Sequence, residues 1–293
     1  MDHQLLAFVT VADTKNFTRA AESLHLTQSA ITLSIKSLEK KFGVKLFDRT
    51  NKYVRLTKAG EIVYYYSKEI LLNYKRIERI IDELTNQASG LLSIGASYTF
   101  GEYILPKLIA SFNQQFPLIQ PDISIRNSTA VINQLLQGDL DLGIIEGNIE
   151  NSFLSITSFA EDEMVIIMAK DHPLANQEEI NLAQLSEETW IIREEGSGTR
   201  QALDRLFEEN YFTPKIIRTF GSSQIIKESV EAGLGIALLS KWVIRKEVQL
   251  GTIQALRIKG NPIVRNFSYA VRNSEFHPKS TDLFLNFLRE NKV

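Results

Sequence analysis

The sequence contains no cysteine among its 293 residues, which excludes disulfides, thiol switches, cysteine-ligated metals and cysteine nucleophiles. Its four histidines stand far apart, without the spacing of metal ligands. Neither a Gly-x-Ser-x-Gly nucleophile elbow nor a Walker loop ending in Gly-Lys-Ser or Gly-Lys-Thr occurs. We therefore expect no enzyme activity, no bound metal and no cofactor.

Long apolar runs are also missing. The run from Leu5 to Ala12 is too short to span a membrane, and no basic segment precedes it, so it predicts neither a membrane span nor a signal peptide. Without an export signal, we expect a cytoplasmic protein rather than an exported solute-binding protein. With 44% hydrophobic and 23% charged residues, a chain of this length buries a large core and predicts two or three domains.

The segment from Phe17 to Thr32 is typical of two short helices joined by a tight turn. Ala20 and Ala21 are small enough for the helices to pack closely, and Thr27 is a good N-cap for the second helix. The apolar positions of that helix are Ile31, Ile35 and Leu38, at the spacing of a buried stripe. In a helix-turn-helix, the first turns of the second helix reach base edges in the major groove. An ordinary helical hairpin is the alternative.

A basic motif follows the helix pair. The residues from Lys45 to Phe47 and from Tyr53 to Leu56 are typical of two short strands around a turn at residues 50–52. The first 60 residues carry ten Lys or Arg against five Asp or Glu, a net charge of +5, while the other 233 carry 23 against 30, a net charge of −7. A basic N-terminal segment, residues 1–60, here called the head, on an otherwise acidic chain indicates that only this end binds a polyanion.

One long helix is predicted from Lys58 to about Ser89, because no proline occurs there and no glycine follows Gly60. Residues that recur at seven-residue intervals along this helix form a coiled-coil seam. Asn73 is a polar member of the seam, of the kind that fixes the register of two helices. The seam residues are Val63, Tyr66, Ile70, Asn73, Ile77, Ile80 and Leu84, with Tyr64, Tyr65 and Tyr74 widening the apolar surface. We interpret this as a dimerisation helix; a helix packed on its own domain is the alternative.

Residues 1–60 resemble the winged helix-turn-helix of LysR-type transcriptional regulators. The matching residues are Leu5, Phe8, Phe17, Thr18, Ala20, Ala21, Leu24, Gln28, Ser29, Leu38, Glu39, Gly43, Leu46, Phe47, Arg49, Thr57 and Gly60. The resemblance implies that the second helix approaches operator DNA and that the wing grips the phosphate backbone. The candidate DNA-binding residues are Thr18, Thr27, Gln28, Ser29, Thr32, Ser34, Lys36, Arg49, Lys52 and Arg55. At Leu33 many members carry a polar residue, so this leucine either touches a thymine methyl group or packs against protein.

Beyond residue 90, strand and helix patterns alternate, which favours parallel sheets with helices on both faces. The predicted strands are Leu92–Ala96, Ile123–Arg126, Asp141–Ile145, Trp190–Ile192, Ile216–Phe220 and Gly235–Leu239. The predicted helices run from about Tyr103 to Phe116, through Val131 to Gly138, from Gln201 to Glu209 and from Gln224 to Ala232. The extended segments Phe159–Val165 and Ile263–Ala270 are candidates for paired crossovers between two lobes. We expect Glu161, Asp162 and Glu163 to form a solvated polar turn.

Four strand-to-helix junctions, at residues 96–99, 127–129, 195–200 and 220–223, are rich in hydroxyl groups and glycine. In α/β sheets, ligands lie beyond the carboxyl ends of the strands, where helix N-termini donate N–H groups to anions. At the third junction two glycines let the backbone approach a ligand, and Arg193 or Arg200 supplies positive charge. Taken singly, each junction is an ordinary N-cap; four at equivalent points favour one binding cleft.

This half of the chain resembles the two-lobed periplasmic-binding-protein-like (type 2) effector domain of LysR-type regulators, and residues 193–200 and 221–235 are similar to the CysL/CbbR-like subgroup. The resemblance implies a small anionic effector (a carboxylate, phosphate or sulfur-containing metabolite) and genes of sulfur or central-carbon metabolism. It also implies a homodimer to homotetramer and contact with RNA polymerase. The candidate effector-binding residues are Ser97, Tyr98, Thr99, Ser128, Thr129, Glu146, Arg193, Gly196, Ser197, Gly198, Thr199, Arg200, Ser222 and Ser223.

The sequence thus predicts a winged helix-turn-helix at residues 1–58, a dimerisation helix at 59–89 and an effector domain at 90–293. Lobe I of that domain covers about 90–161 and 267–293, and lobe II about 162–266. Effector binding between the lobes is expected to alter the oligomer and so control transcription. A constitutive DNA-binding protein without ligand control is the main alternative. An enzyme domain fused to a DNA-binding head is the other.

Overall fold

The computed structural model describes residues 2–49, 53–85, 89–260 and 262–291, which belong to two compact units, Met1–Thr85 and Asn86–Val293. The first unit contains helices α1 (Asp2–Thr14), α2 (Phe17–Ser23) and α3 (Gln28–Phe42), strands β1 (Phe47–Arg49) and β2 (Val54–Leu56), and helix α4 (Lys58–Thr85). Strands β1 and β2 pair antiparallel, as a wing requires. The predicted winged helix-turn-helix and long helix are therefore confirmed.

Local chemistry explains where α3 begins and ends. The Thr27 hydroxyl accepts a hydrogen bond from the Ala30 N–H at 3.2 Å, and Gly43 ends the helix in the left-handed conformation, with φ +71°. The buried face of α3 carries Ile31, Ile35 and Leu38, which pack with Phe8 and Ala20 in the core of this unit. The predicted buried stripe is confirmed, so the opposite face of α3 remains available to a ligand.

The second unit alternates strands and helices. Its strands are β3 (Gly90–Ala96), β4 (Ile119–Ile125), β5 (Leu142–Glu146), β6 (Leu154–Ala169), β7 (Glu179–Ile180), β8 (Thr189–Arg193), β9 (Ile216–Phe220), β10 (Ala237–Ser240), β11 (Ile253–Ile258) and β12 (Ile263–Arg272). Its helices are α5 (Tyr98–Tyr103), α6 (Leu105–Gln115), α7 (Ser128–Gln137), α8 (Gly198–Glu209), α9 (Ser223–Glu231), α10 (Lys241–Leu250) and α11 (Lys279–Glu290). A short 3-10 helix covers Leu182–Leu185.

Two long strands, β6 and β12, connect the two lobes of this unit. Strand β12 pairs antiparallel with β5 and with β6, while β10 and β11 pair antiparallel with the second half of β6. Strands β3, β4 and β5 are parallel in lobe I, and β8 and β9 are parallel in lobe II. The predicted paired crossovers are confirmed. The expected parallel pairing is present within each lobe, and the crossover strands run antiparallel to their neighbours.

Each lobe has its own apolar core. The core of lobe I centres on Phe100, Phe112 and Phe284, and that of lobe II on Trp190 and Leu238. The helix predicted from about Tyr103 to Phe116 is confirmed as α6, and the short helix α5, which precedes it and ends beside Ile104, was not predicted. The polar strand-to-helix junctions thus lie at the carboxyl ends of β3, β4, β8 and β9, where each strand leads directly into a helix.

Candidate functional site

The N-terminal turns of α3 form the candidate DNA-reading surface. Gln28 and Ser29 are exposed, and Thr32, one turn later, is partly exposed and donates its hydroxyl to the Gln28 carbonyl at 2.9 Å. Leu33 is 67% exposed, so it does not pack against its own domain. Of the other predicted residues near this surface, Thr18, Thr27 and Lys36 are exposed and Ser34 is partly exposed. The helix therefore presents amide and hydroxyl groups that match the donor and acceptor pattern of base edges.

The wing is anchored to α3 by a buried carboxylate, that of Glu39, which is one of the residues that carry the family resemblance. Glu39, 5% exposed, accepts the Leu46 N–H at 3.0 Å and pairs with Lys45 at 3.0 Å. On β2, the Arg55 guanidinium lies 4.7 Å from the centre of the Tyr53 ring. Lys52 and the predicted turn at residues 50–52 lie outside the described residues, and so does the side chain of Arg49. The same holds for the side chain of Leu84, a predicted seam residue of α4. Arg55 is thus the wing cation whose position the structure gives.

Helix α4 carries an exposed apolar stripe that differs in part from the predicted seam. The exposed members are Ile62, Tyr65, Tyr66, Ile70, Tyr74, Ile77 and Ile81. Asn73 is exposed too, and Ile80 is half-buried. Val63 and Tyr64 instead pack against the core of the head, and the Tyr64 hydroxyl bonds to Asp13 of α1. The placement of Val63 in the seam is corrected, because the first turns of α4 already have a partner within their own domain.

In the effector domain, the junctions before α7 and α8 bring the two lobes into direct contact. The Thr129 N–H donates to the Gly196 carbonyl at 3.1 Å, and the Gln201 side chain donates to the Asn148 carbonyl at 2.9 Å and accepts from its N–H at 2.8 Å. A Cβ atom at Gly198 would lie 2.3 Å from the Glu146 carbonyl oxygen. The glycines predicted to let a ligand approach the backbone therefore allow one lobe to approach the other.

The centre of this interface is filled by Arg265, on β12, which the sequence analysis missed. Its guanidinium pairs with Glu146 at 2.6 Å and with Asp162 at 2.8 Å, and it donates to the hydroxyls of Thr199 at 2.9 Å and Thr99 at 2.8 Å. All these side chains are at most 5% exposed. A charge buried so completely is tolerated only when it is paired and hydrogen-bonded, as here.

The carboxylates around Arg265 are themselves satisfied. Glu146 accepts the N–H groups of Thr99 and Phe100, at 2.8 and 3.1 Å, at the N-terminus of α5. Asp162 accepts the Ser240 hydroxyl at 2.6 Å. Burial raises the pKa of Asp162, and the charge of Arg265 opposes that rise. The expectation of a solvated turn at residues 161–163 is wrong, since Asp162 lies on β6 and is 0% exposed.

A second arginine, Arg193, lies at the carboxyl end of β8 and is 1% exposed. Its Nε and Nη2 atoms donate to both carboxylate oxygens of Glu194, at 2.7 and 2.8 Å, and Nη1 donates to the Ser223 hydroxyl at 3.2 Å. The Tyr98 ring covers the guanidinium at 4.6 Å. From lobe I, the Asn127 amide donates to the same Glu194 carboxylate at 3.2 Å. Side chains from the first, second and fourth predicted junctions therefore contact the Arg193–Glu194 pair.

The remaining predicted residues lie around these two arginines. Ser128 bonds to the backbone of Glu146, and the hydroxyls of Ser197 and Ser222 cap α8 and α9. Arg200 pairs with Asp204 at 2.8 Å and lines a cavity of about 430 Å³ together with Thr129 and Gly196. The Ser97 hydroxyl is buried and has no hydrogen-bond partner among the described residues. The structure thus brings the predicted cluster together, but most of its charges are already paired within the chain.

Two family models match this chain. Residues 3–61 match the bacterial regulatory helix-turn-helix protein, lysR family, and residues 85–292 match the LysR substrate binding domain. The chain belongs to the LysR family. It is a DNA-binding transcriptional regulator with an effector-binding domain, and not an enzyme. No helix in the described part of this LysR regulator is long and apolar enough to cross a membrane.

Relatives cover nearly the whole of the LysR regulator. The HTH-type transcriptional regulator CysL of Bacillus subtilis is 37% identical over 98% of this chain and 96% of CysL. The RuBisCO operon transcriptional regulator of Allochromatium vinosum is 33% identical over 97% of this chain and 94% of its own. Among solved structures, the CcmR regulatory domain of Synechocystis PCC6803, in complex with 2-PG, has a TM-score of 0.63 and 29% identity. The match covers 69% of this chain and 97% of that domain. The predicted resemblance to the CysL/CbbR-like subgroup is confirmed.

Proposed function

We propose that this regulator controls transcription in response to a small anionic metabolite, a carboxylate, phosphate or sulfur-containing compound, that binds between the lobes of its effector domain. The observation that carries this proposal is the meeting of polar junctions from both lobes beside the buried cation Arg193. Arginine recognises carboxylate and phosphate groups through parallel hydrogen bonds.

The relatives support this class of ligand and indicate the kind of gene that is controlled. CcmR was solved with 2-PG, and the two relatives are named as CysL and as a regulator of a RuBisCO operon. From these names we infer that this regulator controls genes of sulfur or central-carbon metabolism. Because it acts on operator DNA, we place the regulator in the cytoplasm.

DNA recognition is assigned to two elements of the head. Gln28, Ser29 and Thr32 of α3 read base edges, while Arg55 of the wing, together with Arg49 and Lys52, contacts phosphates. The exposure of the N-terminal turns of α3 and its buried opposite face support this assignment. One such head buries little DNA surface, so two heads on neighbouring half-sites are needed for high affinity.

The active species is a dimer that assembles further into a tetramer. The apolar stripe of α4 supplies the first contact. Two edge strands support a second contact, between effector domains: β4 exposes 38% of Ile123, and β9 exposes 47% of Ile216 and 49% of Ile217. Unpaired apolar edges of this kind are typical of association surfaces. Effector binding shifts the arrangement of this oligomer on DNA and its contact with RNA polymerase, through its different affinity for the two states.

The test is thermal unfolding of the full-length protein against sulfate, phosphate, 2-PG, sugar phosphates, sulfur metabolites and dicarboxylates. A ligand that binds only the folded state raises the melting temperature by mass action. We expect one chemical class to raise it at millimolar concentration while its uncharged analogues do not. If no anion raises it, the constitutive DNA-binding alternative is favoured.

A further inference from the structure

The carboxylate of Glu194 lies against Arg193, beside three of the predicted junctions, where the sequence analysis expected an external anion. It accepts two hydrogen bonds from Arg193, at 2.7 and 2.8 Å, and one from Asn127 at 3.2 Å, while Tyr98 and Ser223 contact Arg193. Burial raises the pKa of Glu194, but its hydrogen bonds with Arg193 and the charge of that residue outweigh burial and hold the pKa below its ordinary value. Glu194 is therefore an anion within a preformed anion subsite.

We propose that Glu194 is a tethered competitor of the effector: an external carboxylate or phosphate binds by displacing the Glu194 carboxylate from Arg193. This inference rests on the proposed function, because it assigns the anion subsite of the same cleft. It commits the ligand to an oxyanion with two oxygens that can accept the parallel Nε and Nη2 hydrogen bonds of Arg193.

Three features make displacement physically reasonable. Arg193 is 1% exposed and keeps its place through Tyr98 and Ser223, so the cationic half of the subsite is rigid. The Glu194 side chain is 28% exposed and stands at the start of a loop that turns at Gly196, with φ +82°, so it has a route towards solvent. An arriving oxyanion replaces one ion pair by another, so the buried guanidinium is never left unpaired.

Displacement also affects the contact between the lobes. Glu194 belongs to lobe II, and its side chain accepts a hydrogen bond from the Asn127 amide of lobe I. Asn127 also caps α7 by accepting the Ala130 N–H at 2.9 Å. An effector that takes the position of Glu194 takes over this inter-lobe hydrogen bond. The strength of the link between Asn127 and lobe II then depends on the ligand, as control by an effector requires.

The first test uses acetate and inorganic phosphate as probes and does not depend on the natural effector. Glu194→Ala leaves Arg193 without its carboxylate, so we expect a lower melting temperature that either probe restores in a concentration-dependent way. Glu194→Gln, which retains an acceptor, is the second variant if the alanine variant folds poorly. Glu231→Ala is the matched control, because Glu231 is an exposed glutamate at the end of α9, outside the junctions, and we expect no restoration there.

The second test measures the affinity of the full-length protein for 2-PG and for any anion found by the thermal screen. Removing the competitor should tighten binding about tenfold in Glu194→Gln, the equivalent of one charged hydrogen bond, while Glu231→Gln should leave affinity unchanged. Restoration by acetate without any anion binding to the wild type would support the subsite and contradict the proposed function. If an anion binds the wild type and Glu194→Gln does not bind it more tightly, the competitor role of Glu194 is overturned and the proposed function stands. If neither acetate nor phosphate restores the melting temperature of Glu194→Ala, the competitor role is overturned as well.

Discussion

The guanidinium of Arg265 and the carboxylate of Glu146 form an ion pair at 2.6 Å with side chains only 3% and 2% exposed. Arg265 stands on the crossover strand β12, and Glu146 ends β5 of lobe I. Through Asp162 and Thr199 the same guanidinium also contacts lobe II. Arg265 is therefore paired with two carboxylates. It is suited to fix the contact between the lobes rather than to bind a mobile anion.

Replacing Arg265 should destabilise the effector domain. In Arg265→Met the carboxylates of Glu146 and Asp162 would remain buried without a counter-charge, and we expect a loss of about 3–5 kcal/mol in the free energy of unfolding, measured with urea. Arg257→Met is the matched control, because Arg257 is 59% exposed in its ion pair with Glu163. That surface pair should contribute less than about 1 kcal/mol. Equal losses in the two variants would contradict a structural role for the buried triad.

Gln28→Ala should reduce discrimination between operator sequences. The amide at the exposed start of α3 can form a bidentate contact with adenine, so its loss should cost about 1–3 kcal/mol on the operator and little on unrelated DNA. The measurement is a binding titration on both DNA molecules at one salt concentration. If affinity falls by the same factor on both, Gln28 does not read bases.

Arg55→Ala should behave in the opposite way. A phosphate contact adds affinity on any sequence, so binding should weaken on operator and unrelated DNA alike, and the slope of log affinity against log salt should fall by about 1. The comparison with Gln28→Ala separates base reading from backbone contact within one domain. An unchanged salt slope would remove Arg55 from the set of phosphate contacts.

Ile70→Glu should weaken dimerisation. Ile70 is 45% exposed at the middle of the apolar stripe of α4, and a charge there would be buried against the partner helix. Sedimentation should show a higher dimer dissociation constant, with an unchanged helical content. Lys75→Glu, which adds the same residue away from the stripe, is the control. Equal effects of both substitutions would indicate a general charge effect rather than a seam.

Two carboxylates should give opposite changes in the dependence of stability on pH. The pKa of Glu102 is raised above its ordinary value of 4.5, first by burial and then by the charge of Glu146, against the opposing charges of Arg193 and Lys227. The folded state then binds the proton more tightly, so stability falls as pH rises through the interval between 4.5 and the folded pKa. Glu102→Gln should therefore gain stability relative to the wild type from about pH 4 to pH 7.

Glu194 provides the opposite case. Its pKa is lowered, so its contribution to stability is present above the unfolded value and is lost as pH falls through the folded value. Glu194→Gln should consequently be less stable than the wild type at neutral pH, and the difference should shrink in acid. Unfolding curves of both variants across this pH range check the two signs. Parallel pH profiles for the two variants would contradict the assigned environments.

Short-range sequence signals predicted much of this molecule. The N-cap at Thr27 and the buried stripe of α3 depend on neighbours within a few residues, and both appear in the structure. Seven-residue spacing identified α4 as a helix but placed Val63 in the seam. Periodicity shows which residues share a face and does not show whether that face meets a second chain or the core of its own domain.

Arg265 could not be located by the same reasoning, because its partners are 66 to 166 residues away along the chain. A usable signal was present, since an arginine between the apolar residues Val264 and Phe267 of a predicted strand requires a counter-charge when it is buried. Asp162, a carboxylate within the predicted extended segment Phe159–Val165, was the matching signal. Pairing the two required the antiparallel register of β6 and β12, in which Arg265 stands opposite Asp162.

The most direct test of effector control is a footprint of the full-length protein on its operator, with and without the anion that the thermal screen identifies. If an anion between the lobes changes the oligomer, the protected region or the bend of the DNA should change at saturating anion, and an uncharged analogue should have no effect. An identical footprint and bend angle under both conditions would show that the anion binds without controlling the regulator, and would contradict the account.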